Sequence, residues 1–105
     1  MDANSIMQQA QQMQAKLIRI QQDLAQKTVQ GSAGGGMVTV TVNGRSEVLA
    51  ITIEKEIISP NEAGMLQDLI VAAVNDGLRR AKELSRQEMV KLTGGMNIPG
   101  ISDIF

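Results

Sequence analysis

The chain of 105 residues contains no cysteine, histidine, tryptophan or tyrosine, and its single phenylalanine, Phe105, is the last residue. Each absence removes a class of chemistry. Without cysteine there is neither a disulfide framework nor a thiolate site. Without histidine the commonest general base and the commonest metal ligand are gone. A lone terminal ring offers no platform on which bases could stack. No apolar run is long enough to span a bilayer, and the N-terminus lacks the basic-then-apolar form of a signal peptide. The expectation is a single domain, 1–105, in a reducing, cytoplasmic setting. No cofactor, metal, membrane or small-molecule substrate is implied.

The formal net charge is −1, which by itself argues against a nucleic-acid binder. The charges are unevenly placed, however. Residues 43–76 carry two basic and six acidic groups, a net −4, whereas residues 77–92 carry five basic and two acidic, a net +3. Residues 1–30 add a further +1. Basic charge therefore gathers in one late stretch, with a minor share near the start.

That late stretch, Ser59 to Gly95, reads as one long helix over 60–92. Ser59, Pro60 and Glu62 fit an N-cap, a first-turn proline and a capping-box glutamate. Gly94, Gly95 and Pro99 supply the stop. Leu66, Leu69, Ile70, Ala73, Gly77, Ala81 and Leu84 fall on one side at 100° per residue. In the first half Met65, Val71, Ala72 and Val74 lie off that stripe, so this half is apolar nearly all round. A helix apolar on every side is buried on every side, and one small sheet covers only one of them. A second chain is expected over the rest, with Met65, Leu66, Leu69, Val71, Ala72 and Val74 as the interface. The second half carries Arg79, Arg80, Lys82, Arg86 and Lys91, of which Arg79, Lys82 and Arg86 face away from the apolar stripe. The competing reading of that triad is a solvated face stapled by an Arg79–Glu83 pair.

Residues 3–27 read as a first helix. Ile6, Ala10, Met13, Leu17, Ile20 and Leu24 recur in steps of four and three, a heptad seam. The seam fits either packing within its own domain or contact with another chain. Lys16, Arg19 and Lys27 lie off it, where solvated positions are the plain reading.

Between the helices three strands are expected, 28–31, 37–43 and 47–54, forming an antiparallel meander. The glycines at 31, 34, 35 and 36 read as a hairpin turn, because a phosphate cradle requires a following helix and here a strand follows. Val38, Val40 and Val42 alternate with Thr39 and Thr41 before Asn43-Gly44. A two-residue loop would set Val40 against Glu47. A four-residue loop, Asn43 to Ser46, sets Val40 against Leu49 and Val38 against Ile51, keeping apolar residues on one face. Both long helices are expected to pack on that face. At ~1.5 Å per residue the helices reach roughly 50 and 37 Å, against a radius of gyration near ~13 Å for a compact domain of this size. They must overhang the sheet, and an isologous homodimer would cover the overhang. The tail, MNIPGISDIF, is read as partly disordered over 93–105.

Taken in order, MQQAQQMQ (7–14), GSAGGGMVTVTVNG (31–44), MLQDLIVAAVNDGLRRAKEL (65–84) and KLTGGMNIPG (91–100) resemble the YbaB/EbfC family of bacterial nucleoid-associated proteins over nearly the whole chain. Members usually carry Asp-Pro after the third strand, where this chain has Glu54-Lys55-Glu56, and the tail beyond Gly100 is longer than the family pattern. The resemblance implies an α+β, α-β-β-β-α fold and a tweezer-like homodimer. It also implies duplex DNA as partner, a role in nucleoid organisation and gene expression, and no catalysis. It attributes DNA contacts to the terminal helices, here Lys16, Arg19, Lys27, Arg79, Arg80, Lys82, Arg86 and Lys91. Without aromatics or a recognition-helix signature, contacts would go mainly to phosphate, with weak sequence preference. The rival function is a protein-interaction module gripping a partner helix through methionines. An enzyme would need carboxylates paired in a pocket, and Glu54, Glu56 and Glu62 read as solvent-facing.

Overall fold

The computed structural model describes residues 2–92. Helix α1 (Ala3–Gln26) leads into strands β1 (Thr28–Ala33), β2 (Val38–Asn43) and β3 (Val48–Ile53). Two short 3-10 turns, Lys55–Ile57 and Pro60–Glu62, then lead to helix α2 (Ala63–Leu92). The sheet is antiparallel, in the order β1-β2-β3. The expected tail disorder and the Gly94-Gly95 stop lie outside the described residues.

The alternation in β2 sets the core. Val38, Val40 and Val42 are buried beneath Ala73 and Ala81 of α2, with Ile57 beside them. Leu66, Leu69, Ile70, Val74 and Leu78 pack against this cluster. The buried face of α2 steps by four residues through Ala73, Gly77, Ala81, Ser85 and Met89. Small residues on it bring the helix close to the sheet. A Cβ on Gly31 of β1 would collide with the Gly77 amide nitrogen and the Ala73 carbonyl. Gly31 therefore permits a backbone-to-backbone approach to Gly77 that a side chain at position 31 would block.

The turn between β1 and β2 uses its glycines as the sequence suggests. Gly34, Gly35 and Gly36 take φ of 65°, 67° and 96°, the left-handed region that side chains disfavour. The turn between β2 and β3 is different. Its left-handed residue is Ser46, at φ 63°, and not Gly44. The Asn43 amide donates to the Glu47 carbonyl and the Ser46 amide to the Asn43 carbonyl, each at 3.0 Å. Leu49 is then bulged out, because Val42 pairs with Val48 while Thr41 pairs with Ala50. The register consequently moves by two residues from the one expected. Val40 lies opposite Ile51, not Leu49, and Val38 opposite Ile53, not Ile51. A shift of two keeps the side-chain parity, so the apolar face survives it.

Three further expectations are corrected. Ser59 makes no side-chain capping bond; the Glu62 amide donates to the Ser59 carbonyl, so Pro60–Glu62 winds as a 3-10 turn ahead of α2. Among the described residues α2 is the helix that covers the sheet, chiefly over β1 and β2. α1 does not pack on the sheet face. Only Leu24 of α1 is buried, and residues 2–16 are exposed throughout. α2 occupies the face over β1 and β2, and α1 meets the domain only through its last turns, leaving β3 uncovered among the described residues. The described chain measures 69 × 22 × 16 Å, with a radius of gyration of 18.8 Å.

Candidate nucleic-acid interface

α1 is started by Asp2, whose carboxylate accepts the Ser5 amide at 2.8 Å. It ends against the β2–β3 turn, where the Gly44 amide donates to the carbonyls of Leu24 (2.8 Å) and Lys27 (2.9 Å). The Lys27 carbonyl would otherwise be an orphan at the helix C-terminus, and that of Leu24 would keep only the Lys27 amide, at 3.3 Å. Beside them the Lys27 ammonium meets Glu88 of α2 at 2.7 Å. α1 therefore leaves the domain alongside the last turns of α2, and all the basic residues named from the sequence lie on these two helices or at their junction.

On α2 the basic side chains are exposed, and most rest on carboxylates. Asp76 accepts the Ser32 amide (3.0 Å), Arg80 Nε (3.1 Å) and Arg79 Nη2 (3.4 Å). The Ser32 bond first, then Arg80, holds its carboxyl below the usual range. Glu83 accepts Arg86 through Nε (3.0 Å) and Nη2 (2.6 Å), which lowers the Glu83 pKa and raises that of Arg86. Glu88 binds Lys27 and, at 3.4 Å, Lys91; the Lys27 bond is the main cause of its lowered pKa. The Arg79–Glu83 staple considered from the sequence is not formed. Asp76, one turn earlier and fixed by β1, captures Arg79, which leaves Glu83 to Arg86. Lys16, Arg19 and Lys82 have no ion pair among the described residues.

The cations of these pairs are exposed, as is Glu83, while Asp76 and Glu88 are half-buried; pairs with a solvent-exposed member are weak. They orient the cations without neutralising the region: among the described residues Lys82 and the projecting pair Lys16 and Arg19 stay free of carboxylates, and Asp76 alone answers two arginines. At 100° per residue Arg79 and Arg86 share a flank of α2, and Lys16 and Arg19 lie within ~60° of one another on α1. Sequence reasoning misses the two carboxylate hubs. Asp76, three and four residues before Arg79 and Arg80, is legible from spacing; the Lys27–Glu88 link, 61 residues apart, is not.

The residues named as a second-chain interface divide. Leu66, Leu69 and Val74 pack against the chain's own core. Met65, Val71 and Ala72 are exposed, Val71 by 59%. β3 is also open: Val48, Leu49 and Ile51 are exposed, although Ile51 lies on the same sheet face as buried Val40.

A solved structure of an uncharacterized protein from Helicobacter pylori superimposes with a TM-score of 0.77 over 90% of this chain and 99% of that one, at 23% identity, and so shares the fold. A nucleoid-associated protein of Desulfotalea psychrophila is 60% identical over 105 residues, covering 100% of this chain and 99% of its own. One from Caldanaerobacter subterraneus subsp. tengcongensis is 48% identical over 98 residues, covering 93% and 88%. The family model of the YbaB/EbfC DNA-binding family matches residues 1–96. With the helix–meander–helix order and near-full-length identity agreeing, the chain belongs to the YbaB/EbfC DNA-binding family.

Proposed function

We propose that the chain is a dimeric nucleoid-associated protein that binds duplex DNA chiefly through phosphates, with weak sequence preference, and so contributes to nucleoid organisation and gene regulation. The observation that carries this is a run of exposed cations along α2, Arg79, Arg80, Lys82, Arg86 and Lys91, continued at the junction with α1 by Lys27 and along α1 by Lys16 and Arg19. The cations themselves stay exposed in their ion pairs, and a phosphate offers an arginine the same two-oxygen fork as a carboxylate.

The homodimer rests on the uncovered apolar surface. β3 is an edge strand, VLAITI, with neither lysine nor proline, and natural proteins seldom leave such an edge unpaired. Pairing β3 with the β3 of a second copy about a two-fold axis would cover Leu49 and Ile51, with Met65, Val71 and Ala72 as the remaining apolar contribution of α2. Two copies would present the Arg79–Lys82–Arg86 set twice. Six phosphate contacts imply an affinity loss of about a thousandfold between ~50 and ~200 mM salt.

The test is a duplex-DNA mobility-shift titration at two salt concentrations, for the wild type and the triple variant Arg79→Ala, Lys82→Ala, Arg86→Ala, with light scattering on both. Loss of the shift with the dimer retained supports the reading; an unchanged shift removes this surface from it. The second reading, a protein-interaction module, is favoured by the exposed Met7 (62%) and Met13 on α1. It predicts a stoichiometric protein partner and no DNA shift at low salt.

A further inference from the structure

We infer that Arg45, on the turn between β2 and β3, is a further phosphate contact, and that the groove it shares with α1 seats a stretch of DNA backbone. The inference rests on the DNA-binding reading above and extends it to a residue outside the two helices. The groove holds about 310 Å³ and is lined by Gln14, Leu17, Ile18, Gln21, Gln22 and Arg45, without a carboxylate.

Three observations bear on Arg45. Like Arg19, Lys16 and Lys82 it has no ion pair among the described residues, whereas Arg79, Arg80 and Arg86 already share donors with a carboxylate. The nearest acid in the chain, Glu47, is already engaged: its Oε1 accepts Asn43 Nδ2 at 2.9 Å. The turn that carries Arg45 is also fixed. The Arg45 amide donates to Asn43 Oδ1 at 3.0 Å, Asn43 is itself buried, and Gly44 is bonded to the end of α1. A cation on a fixed backbone loses less freedom on binding than one on a mobile loop.

The groove has a definite place on α1. At 100° per residue Gln14 and Gln21 lie within ~20° of one another, and both lie ~140° or more from Lys16. Arg45 therefore supplies positive charge on the flank of α1 opposite Lys16. The three glutamine amides beside it are donors suited to phosphate and sugar oxygens. Together they give the root of α1 an anion-binding surface on both flanks.

The experiment uses the full chain and a random-sequence duplex of about 30 base pairs, with anisotropy titrations from ~50 to ~200 mM NaCl. The variants are Arg45→Ala, Arg45→Lys and, as a charge-matched control, Lys55→Ala on the turn after β3. The expected result is a shallower plot of log K against log salt for Arg45→Ala, by ~0.9 for each phosphate that Arg45 neutralises in the wild type. Arg45→Lys should keep the slope, and Lys55→Ala should behave as wild type. A wild-type slope and affinity for Arg45→Ala overturns the inference while leaving DNA binding intact. An equal loss in Lys55→Ala also overturns it, since binding would then follow net charge alone. Absence of any wild-type binding at ~50 mM overturns the DNA-binding reading and this inference with it. Equal thermal melts for wild type and Arg45→Ala verify that the fold is unchanged.

Discussion

The Gly44 amide donates to the Leu24 carbonyl at 2.8 Å, and a Cβ on Gly44 would stand 2.6 Å from Leu24 Cδ2 and 2.9 Å from that same carbonyl oxygen. A hairpin turn thus closes the end of a helix 20 residues upstream and leaves no room for a side chain. Gly44→Ala should destabilise the protein by ~1–3 kcal/mol through overpacking. Urea denaturation gives the value, and wild-type stability in the variant would show that α1 is not held at this point.

Gly31 and Gly77 face each other, yet they should not respond alike. An added Cβ at Gly31 meets main chain, the Gly77 amide and the Ala73 carbonyl, which cannot move without shifting α2. At Gly77 it meets the Val42 side chain at 2.7 Å, and alanine also recovers ~1 kcal/mol of helix propensity there. Gly31→Ala should therefore be the more destabilising of the two by at least ~1 kcal/mol. The reverse order in thermal or chemical melts would refute the close backbone approach.

Ser85 is 2% exposed on the buried face of α2, and its hydroxyl has no hydrogen-bond partner among the described residues. Burying an unpaired hydroxyl is unfavourable, so Ser85→Ala should be neutral or stabilising by up to ~1–2 kcal/mol. A clear loss of melting temperature would mean that the hydroxyl is bonded in solution.

Glu83 holds Arg86 through two hydrogen bonds on an exposed surface. If phosphate competes for that guanidinium, Glu83→Gln should tighten duplex binding by ~2–5-fold, the equivalent of one exposed ion pair. Arg86→Ala should weaken it. Titrations at fixed salt decide the matter, and weaker binding by Glu83→Gln would contradict the proposed competition.

The Lys27–Glu88 pair ties α1 to α2, and Glu88 titrates below its usual 4.5, first because of Lys27. A carboxylate whose pKa is lowered in the folded state stabilises it fully above the unfolded value and loses that contribution as pH falls through the folded one. Melting temperature should therefore hold from neutral pH to about 5 and then decline. Glu88→Gln should remove part of that decline. An identical acid profile for the variant would show that the pair contributes nothing to stability.

Some of these features are legible in the residues and some are not. The valine–threonine alternation of β2 and the Ala73–Gly77–Ala81 stripe announce strand and helix because local periodicity follows backbone geometry alone. The bulge at Leu49 is not announced, since it depends on Ser46 accepting a left-handed φ after a turn that Asn43 and Gly44 dock onto α1. The glycine of that turn reads as a conformational signal and serves instead as a point of close contact.

The sequence by itself determined the order of elements, the apolar face of α2, the concentration of basic charge late in the chain and the family. Those properties are encoded by neighbours in the chain, within a turn or a strand of one another. Only the tertiary structure decided that β1 fixes Asp76 through Ser32, that Glu88 meets Lys27, and that Arg45 comes to lie along α1. Each of those depends on a meeting of residues far apart in sequence, and such meetings are fixed by which surfaces the short, narrow sheet has room to bury.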